Sequence, residues 1–252
     1  MKKILIILTL LLLNLFICQN SVYSKTTPYR IVQDPEGVYI VEVNTTKNSL
    51  VPYVSEKLET NENVYNKTGA KFVINAGFFD PKNQKTVSYI TINGNLKESP
   101  ENNENLMNNK VLEPYMDKIL NRSEFRILEN TKGKLLYDIA LHNDVIPTGY
   151  KLKHAIQAGP MLFPDLRLEE EFFVLKQDGK IISESASSLH KYARTAIGIR
   201  DNNVYLFIIT NKNPMTLEEV SNLTRKWGME KSMAFDGGGS TSFDTKELHI
   251  VS

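Results

Sequence analysis

Apolar residues fall in short runs along this chain, separated by polar and glycine-bearing segments, and most runs have the composition of strands. Val38-Tyr39-Ile40-Val41-Glu42-Val43 predicts a strand by its β-branched and aromatic content. Residues 71–74 (KFVI) predict another, which runs straight into Asn75-Ala76-Gly77-Phe78-Phe79-Asp80. Residues 87–92 (VSYITI) followed by Asn93-Gly94 and Asn95-Leu96 have the pattern of a tight hairpin, because Asn-Gly accepts the positive φ angles of a two-residue turn. FRIL at 125–128 and KLLY at 134–137 are strand-like inside a stretch, 111–150, that is otherwise hard to place. HAIQ at 154–157 leads into AGPMLF at 158–163, a strand broken at its Gly-Pro. RTAIGI at 194–199 reads as a strand, and VYLFIIT at 204–210 is so continuously apolar that it predicts a strand buried on both faces.

Helical signals are fewer. Residues 54–67 carry a thin apolar face (Val54, Leu58, Val64, Tyr65) and predict a helix ending before Gly69. The clearest helix follows Thr216, an N-cap with Glu219 three residues on to complete a capping box. Leu217, Val220, Leu223, Thr224 and Trp227 then share one face, and Gly228 stops the helix. SMAF at 232–235 is a short strand that delivers Asp236 to its C-terminal end. Residues 25–37 read as a polar lead-in, and 97–110, rich in Asn, Glu and Lys, as a loop or insertion.

These elements predict an α+β or α/β class: a single domain over 25–252 with a mixed sheet flanked by helices. Its two ends resemble each other. One runs VYIVEV, helix, Gly69, KFVI, Asn75-Ala76-Gly77; the other runs VYLFIIT, helix, Gly228, SMAF, Asp236-Gly237-Gly238. The likeness is either chance or a pseudo-repeat of strand–helix–strand halves. A true repeat would set Asn75 and Asp236 at matching strand ends, converging on one pocket beyond the carboxyl ends of the strands.

Composition narrows the class of partner. With 252 residues, 41% hydrophobic and 23% charged, at a formal net charge of +1, the chain suits a soluble domain with a sizeable core, and no nucleic-acid partner is implied. Met1-Lys2-Lys3, an apolar run over 4–17 interrupted only by Thr9 and Asn14, and Val22-Tyr23-Ser24 together predict a secretory signal peptide over 1–24. The apolar run is short for a membrane span, so no stable membrane insertion is expected after cleavage. Loss of Lys2 and Lys3 would take the formal charge to −1. The sole cysteine, Cys18, lies within this segment behind Leu15-Phe16-Ile17; lipidation there is the minor alternative to a cleaved, periplasmic or extracellular protein. Without Cys18 the chain has no disulfide, thiol catalyst or thiolate metal site.

Candidate chemistry gathers in two strand ends and the segments between. Asp236-Gly237-Gly238-Gly239-Ser240-Thr241-Ser242 combines a carboxylate, three glycines and three hydroxyls. Inward-turned N–H groups of such a run form an anion-binding nest. Asp236 beside it would serve as general acid, base or nucleophile on a phosphate-bearing substrate, or else only bond its own turn. No Lys follows the glycines as a Walker loop requires, and no G-x-S-x-G elbow is present. Asn75 offers a donor and an acceptor; Phe78 or Phe79 could wall a sugar face or fill the core. Asp80-Pro81 reads as a turn, and Arg194 as a phosphate clamp or a surface ion pair. The four histidines (His142, His154, His190, His249) lack metal-ligand spacing. His154 and His190, just ahead of the Gly-Pro and Arg-Thr segments, could line a site. No cofactor is expected, although a divalent cation beside Asp236 and Asp80 stays conceivable.

Four segments in this order change the picture. Asn75-Ala76-Gly77-Phe78-Phe79, Ala158-Gly159-Pro160-Met161-Leu162, Arg194-Thr195-Ala196-Ile197-Gly198 and Asp236-Gly237-Gly238-Gly239-Ser240-Thr241 together resemble the motif series of the phosphodiester glycosidase family. This family comprises uncovering-enzyme-like N-acetylglucosamine-1-phosphodiester α-N-acetylglucosaminidase domains and exopolysaccharide-related bacterial members. The resemblance spans about residues 38–245. Ala76 stands where many relatives have Gly, 97–150 matches nothing nameable, and the chain stops soon after the last motif, so a closing strand is expected to be short or missing. The resemblance implies hydrolysis of a sugar-1-phosphodiester to the sugar and a phosphomonoester. On that chemistry we expect Asp236 at the anomeric centre, with Asn75 orienting the sugar. Arg194, Thr195 and the Gly237, Gly238, Gly239 and Ser240 backbone would hold the phosphate, and Gly77, Phe78, Gly159 and Thr241 would complete the substrate site. The competing readings are a non-catalytic envelope protein that binds a glycan or glycan phosphate and a hydrolase of another phosphodiester.

Overall fold

The computed structural model describes residues 27–46 and 48–252. The leader expected over 1–24, with Cys18, lies outside the described residues. In chain order the strands are β1 (Tyr29–Gln33), β2 (Val38–Val43), β3 (Phe72–Ile74), β4 (Ile90–Ile92), β5 (Asn95–Glu98), β6 (Ser123–Asn130), β7 (Leu135–Leu141) and β8 (Tyr150–Gln157). They continue as β9 (Met161–Phe163), β10 (Val174–Gln177), β11 (Lys180–Glu184), β12 (Arg194–Arg200), β13 (Asn203–Ile209), β14 (Lys231–Ala234), β15 (Ser242–Thr245) and β16 (His249–Val251). The helices are α1 (Asn61–Thr68), α2 (Glu104–Met107), α3 (Met116–Leu120) and α4 (Leu217–Lys226).

A six-stranded sheet in the order β1-β2-β13-β12-β14-β9 faces a five-stranded sheet in the order β5-β4-β8-β6-β7. A three-stranded sheet, β16-β15-β3, and a ribbon of β10 and β11 complete the fold. The six-stranded sheet is buried on both sides, which explains the unbroken apolar run of β13. Its Val204, Leu206 and Ile208 point one way, into a core shared with Ile90, Phe125, Ile127, Ile139 and Ile156 of the five-stranded sheet. The alternate residues Tyr205, Phe207 and Ile209 point the other way, onto Leu217 and Val220 of α4. Each such side chain contributes about 1.5–3 kcal/mol on burial. The α4 capping box forms as expected, with Thr216 accepting from Glu219 N and the Glu219 carboxylate accepting from Thr216 N. The Asn93-Gly94 turn also forms, joining β4 to β5 with both residues at positive φ.

Several expectations are corrected. Every pairing among the named strands is antiparallel, so the class is α+β and the sheet is not mixed. The reason is visible at α4. It does cross from β13 to β14, but β12 lies between them and pairs antiparallel with both, so the two parallel strands never touch. The strand–helix–strand likeness does not extend to topology: β13 and β14 share a sheet, whereas β2 and β3 lie in different ones. The first helix starts only at Asn61, where Thr60 caps it by accepting from Asn63 N. Residues 48–60 run without regular structure, and Leu50 and Val54 pack onto the inter-sheet core from that path. The supposed loop at 97–110 is ordered around the buried Asn103, whose Oδ1 accepts from Asn105 N and Leu106 N and whose Nδ2 donates to Thr86 O. Of the two outcomes expected for the closing strand, short or missing, the structure has the first: β16, three residues long, pairs with β15.

Candidate active site

Two chain exits build the site. β3 ends at Ile74 and hands Asn75 to the surface of the inter-sheet core, while β14 ends at Ala234 and hands over Phe235 and Asp236. The exits are tied together. Asn75 Nδ2 donates to Asp236 O at 2.7 Å, and Asp236 N donates to Ala76 O at 2.8 Å. Asn75 Oδ1 accepts from Thr195 Oγ1 at 2.8 Å and from Ser242 N at 3.1 Å. One amide therefore joins the ends of β3 and β14 to β12 and β15. Both lone pairs of its oxygen are used, leaving one amide hydrogen for anything else.

Asp236 is the chemically distinctive group. Burial raises its carboxyl to about 6, against smaller opposing effects from the Ser240 hydroxyl and the Gly237 N–H. The N–H bond to Oδ1 is 2.9 Å. Asp236 lines a cavity of about 1300 Å³ between the sheets and the 48–60 segment. Asn75, Gly77, Phe78, Gly239 and Ser240 line it too; Gly159, Arg194, Thr195, Gly237, Gly238 and Thr241 do not.

The excluded residues have structural work of their own. Arg194, buried at the start of β12, gives Nε to Met215 O, Nη1 to Ala186 O, and Nη2 to both Ser187 O and His190 O. Four of its five N–H donors are thus spent on backbone carbonyls, and in this arrangement Arg194 braces the 186–190 loop, with one N–H left over. Thr195 is fully buried and gives its hydroxyl to Asn75. The expected nest is also largely closed. Gly237 N goes to the Asp236 carboxylate, Gly238 N to Ala193 O, Ser240 N to Gly237 O and Thr241 N to Gly238 O. The last two of these bonds make the 3₁₀ turn at Gly238–Ser240. A Cβ on Gly237 would meet Ala193 O at 3.0 Å, so this glycine serves close backbone approach.

Gly159 has a similar purpose. Its φ is +96°, and a Cβ there would fall 2.4 Å from Glu171 Oε2. Glu171 is fully buried; it accepts from Ser123 N and Oγ and from Met161 N, and burial raises its carboxyl. No motif announced it, because the local EEEFF sequence reads as a solvated run and its partners are remote in sequence. His154 does line the cavity; its Nδ1 accepts from Asn93 N at 3.3 Å, which puts the proton on Nε2, and burial lowers its pKa. His190 instead pairs with Glu184 at 2.6 Å, away from the cavity. Asp80 closes its own turn, accepting from Lys82 N, and also accepts from Asn105 Nδ2. Among the described residues no group of three or more His, Cys, Asp or Glu side chains is placed to hold a metal ion.

The phosphodiester glycosidase family model matches residues 68–250, and the chain belongs to that family. Three solved structures share its fold. The catalytic domain of zebrafish N-acetylglucosamine-1-phosphodiester α-N-acetylglucosaminidase, auto-inhibited by its pro-peptide, matches with a TM-score of 0.60 at 16% identity, over 88% of this chain and 73% of that one. A hypothetical protein from Synechocystis gives 0.58 at 16% identity over 88% of this chain, which spans only 58% of that protein. A Burkholderia pseudomallei protein with a proposed export assignment gives 0.52 at 11% identity, over 84% and 70% of the two chains. No curated protein matches the chain at a significant level.

Proposed function

We propose that this chain hydrolyses a sugar-1-phosphodiester, with Asp236 as the carboxylate at the anomeric carbon. Water adds across the bond between that carbon and the phosphate oxygen: the sugar takes the hydroxyl and the phosphomonoester takes the proton. A phosphate leaves as a stable anion and needs less protonation than an alcohol. The larger demand is to stabilise the positive charge that develops on the sugar. The observation that carries this reading is Asp236, a carboxylate raised to about 6 by burial yet facing a large cavity. Above that pH it is ionised and able to offset an oxocarbenium-like centre.

The phosphate is held in this reading by the Gly239 N–H at the cavity wall, and Asn75 acts by fixing where Asp236 stands. Family membership supports glycosidase chemistry, and the name of the zebrafish relative makes N-acetylglucosamine the first sugar to test. We also read residues 1–24 as a leader and the working protein as periplasmic or extracellular, in keeping with the export assignment of the Burkholderia relative. No helix among the described residues is long and apolar enough to cross a membrane.

The test is mass detection of sugar released from defined sugar-1-phosphodiesters, with Asp236→Asn alongside. Near-normal turnover by Asp236→Asn would sink the assignment. Binding of the diesters without turnover by the unaltered protein would support a glycan-phosphate binding protein instead.

A further inference from the structure

The cavity at Asp236 is larger and more apolar than a sugar phosphate needs. From Asp236 it continues past Phe235, Ala76 and Phe78 into the layer between the two main sheets. Its inner wall there is Ile90, Phe125, Ile127, Ile156, Ile197 and Leu206, with His154 as the ionisable exception. On the solvent side Val51, Tyr53 and Leu58 of the 48–60 segment line the mouth and stay about half exposed, at 55%, 48% and 49%.

A second sugar fits this inner wall poorly. Each hydroxyl pressed against isoleucine and leucine would lose water without gaining a partner, at a cost of about 1–3 kcal/mol. A hydrocarbon chain has no such cost and gains from every methylene removed from water. Polar groups line other parts of the cavity, among them Asp236, Asn75, Lys71, Lys85 and Glu98, and the apolar stretch lies between the sheets.

Resting on the hydrolytic reading above, we propose that the group beyond the phosphate is a long hydrocarbon chain, so that the substrate class is a glycosyl phospholipid. The chain lies between the sheets under the 48–60 segment, and the sugar stands at Asp236. Hydrolysis then releases a free sugar and a lipid phosphate. A straight alkyl chain and a prenyl chain share this chemistry, and the test separates them.

Two measurements decide it. The first is calorimetric binding of methyl phosphate, dodecyl phosphate and farnesyl phosphate, below their micelle concentrations, to the Asp236→Asn protein. Dodecyl or farnesyl phosphate is expected to bind at least about 100-fold tighter than methyl phosphate, since each buried methylene gives roughly a fourfold gain. The tighter of the two identifies the lipid class. Val54→Trp and Ile127→Phe, which fill the space from opposite walls, are expected to cut that preference at least about tenfold. Either one suffices if the other fails to fold, as judged by thermal unfolding. The second is turnover of N-acetylglucosamine 1-phosphodiesters bearing methyl, mannosyl and dodecyl aglycones. Equal binding of the three phosphates overturns the lipid proposal, as does equal or better turnover of the mannosyl diester. Chain-length-dependent binding with no turnover of any diester leaves the lipid site standing and removes the hydrolytic reading. Turnover indifferent to the aglycone does the reverse.

Discussion

Asp236 and Glu171 are two carboxylates that burial pushes upward, and their surroundings differ. Glu171 sits behind Gly159, where one hydroxyl and two amides occupy its oxygens. Asp236 holds one amide and one hydroxyl and opens on the cavity. Desolvation raises both, so a raised pKa does not by itself mark a site. The difference is whether lone pairs remain for a ligand. Glu171 is a clasp between Ser123 on β6 and Met161 on β9; Asp236 is a group kept partly unsatisfied.

The comparison breaks if Asp236 turns out to be scaffold or Glu171 to be chemistry. The largest effect is expected from Asp236→Asn, which should lower kcat/KM on a glycosyl phosphodiester about 10²- to 10⁴-fold while the protein still folds. Steady-state kinetics with a thermal melt check both halves. Next is Arg194→Gln, which strands several buried carbonyls and should cost about 3 kcal/mol of stability in denaturant titration. Its kcat/KM, measured where the variant is folded, should stay within about tenfold of the unaltered protein, and a loss as large as that of Asp236→Asn would restore the phosphate-clamp role. Glu171→Gln follows. It turns an amide NH₂ toward N–H donors and should cost about 1–3 kcal/mol, read as a lowered urea midpoint. A KM rise with unchanged stability would move Glu171 into the site.

A last prediction sharpens the pair through pH. The folded pKa of Asp236, about 6, lies above its ordinary value of 3.8, so the folded state binds this proton more tightly than the unfolded one. Its contribution to stability is therefore full below pH 3.8 and is lost as pH rises to about 6. Asp236→Asn should then gain up to about 3 kcal/mol relative to the unaltered protein above pH 6, and little below pH 4. Urea titrations at pH 4 and pH 7 measure it. In the same window kcat/KM should rise with pH, because the proposed chemistry uses the ionised carboxylate.

Much of this was legible locally. The alternation of β13, the Thr216–Glu219 capping box and the Asn93-Gly94 turn are short-range patterns whose physics acts over a few residues, and the structure keeps them. The convergence of Asn75 with Asp236 was also foreseeable from two strand ends carrying polar and small residues. The 54–67 helix was misjudged because Leu50 and Val54 dock on the core from an irregular path, which no periodicity reports. The surroundings of Arg194 were hidden for a related reason. A guanidinium beside a motif looks available until the fold brings four carbonyls to it.

The sequence by itself determined many of the strands, the α4 cap, the family motifs and the choice of Asp236 as the carboxylate to propose for the site. Tertiary structure decided which sheet each strand joins, which donors are already spent, and how deep and apolar the cavity beside Asp236 is. Strand propensity, turn chemistry and capping act between neighbours along the chain. Sheet order, hydrogen-bond saturation and desolvation depend on residues brought together from more than a hundred positions apart, as Asn75 and Asp236 are.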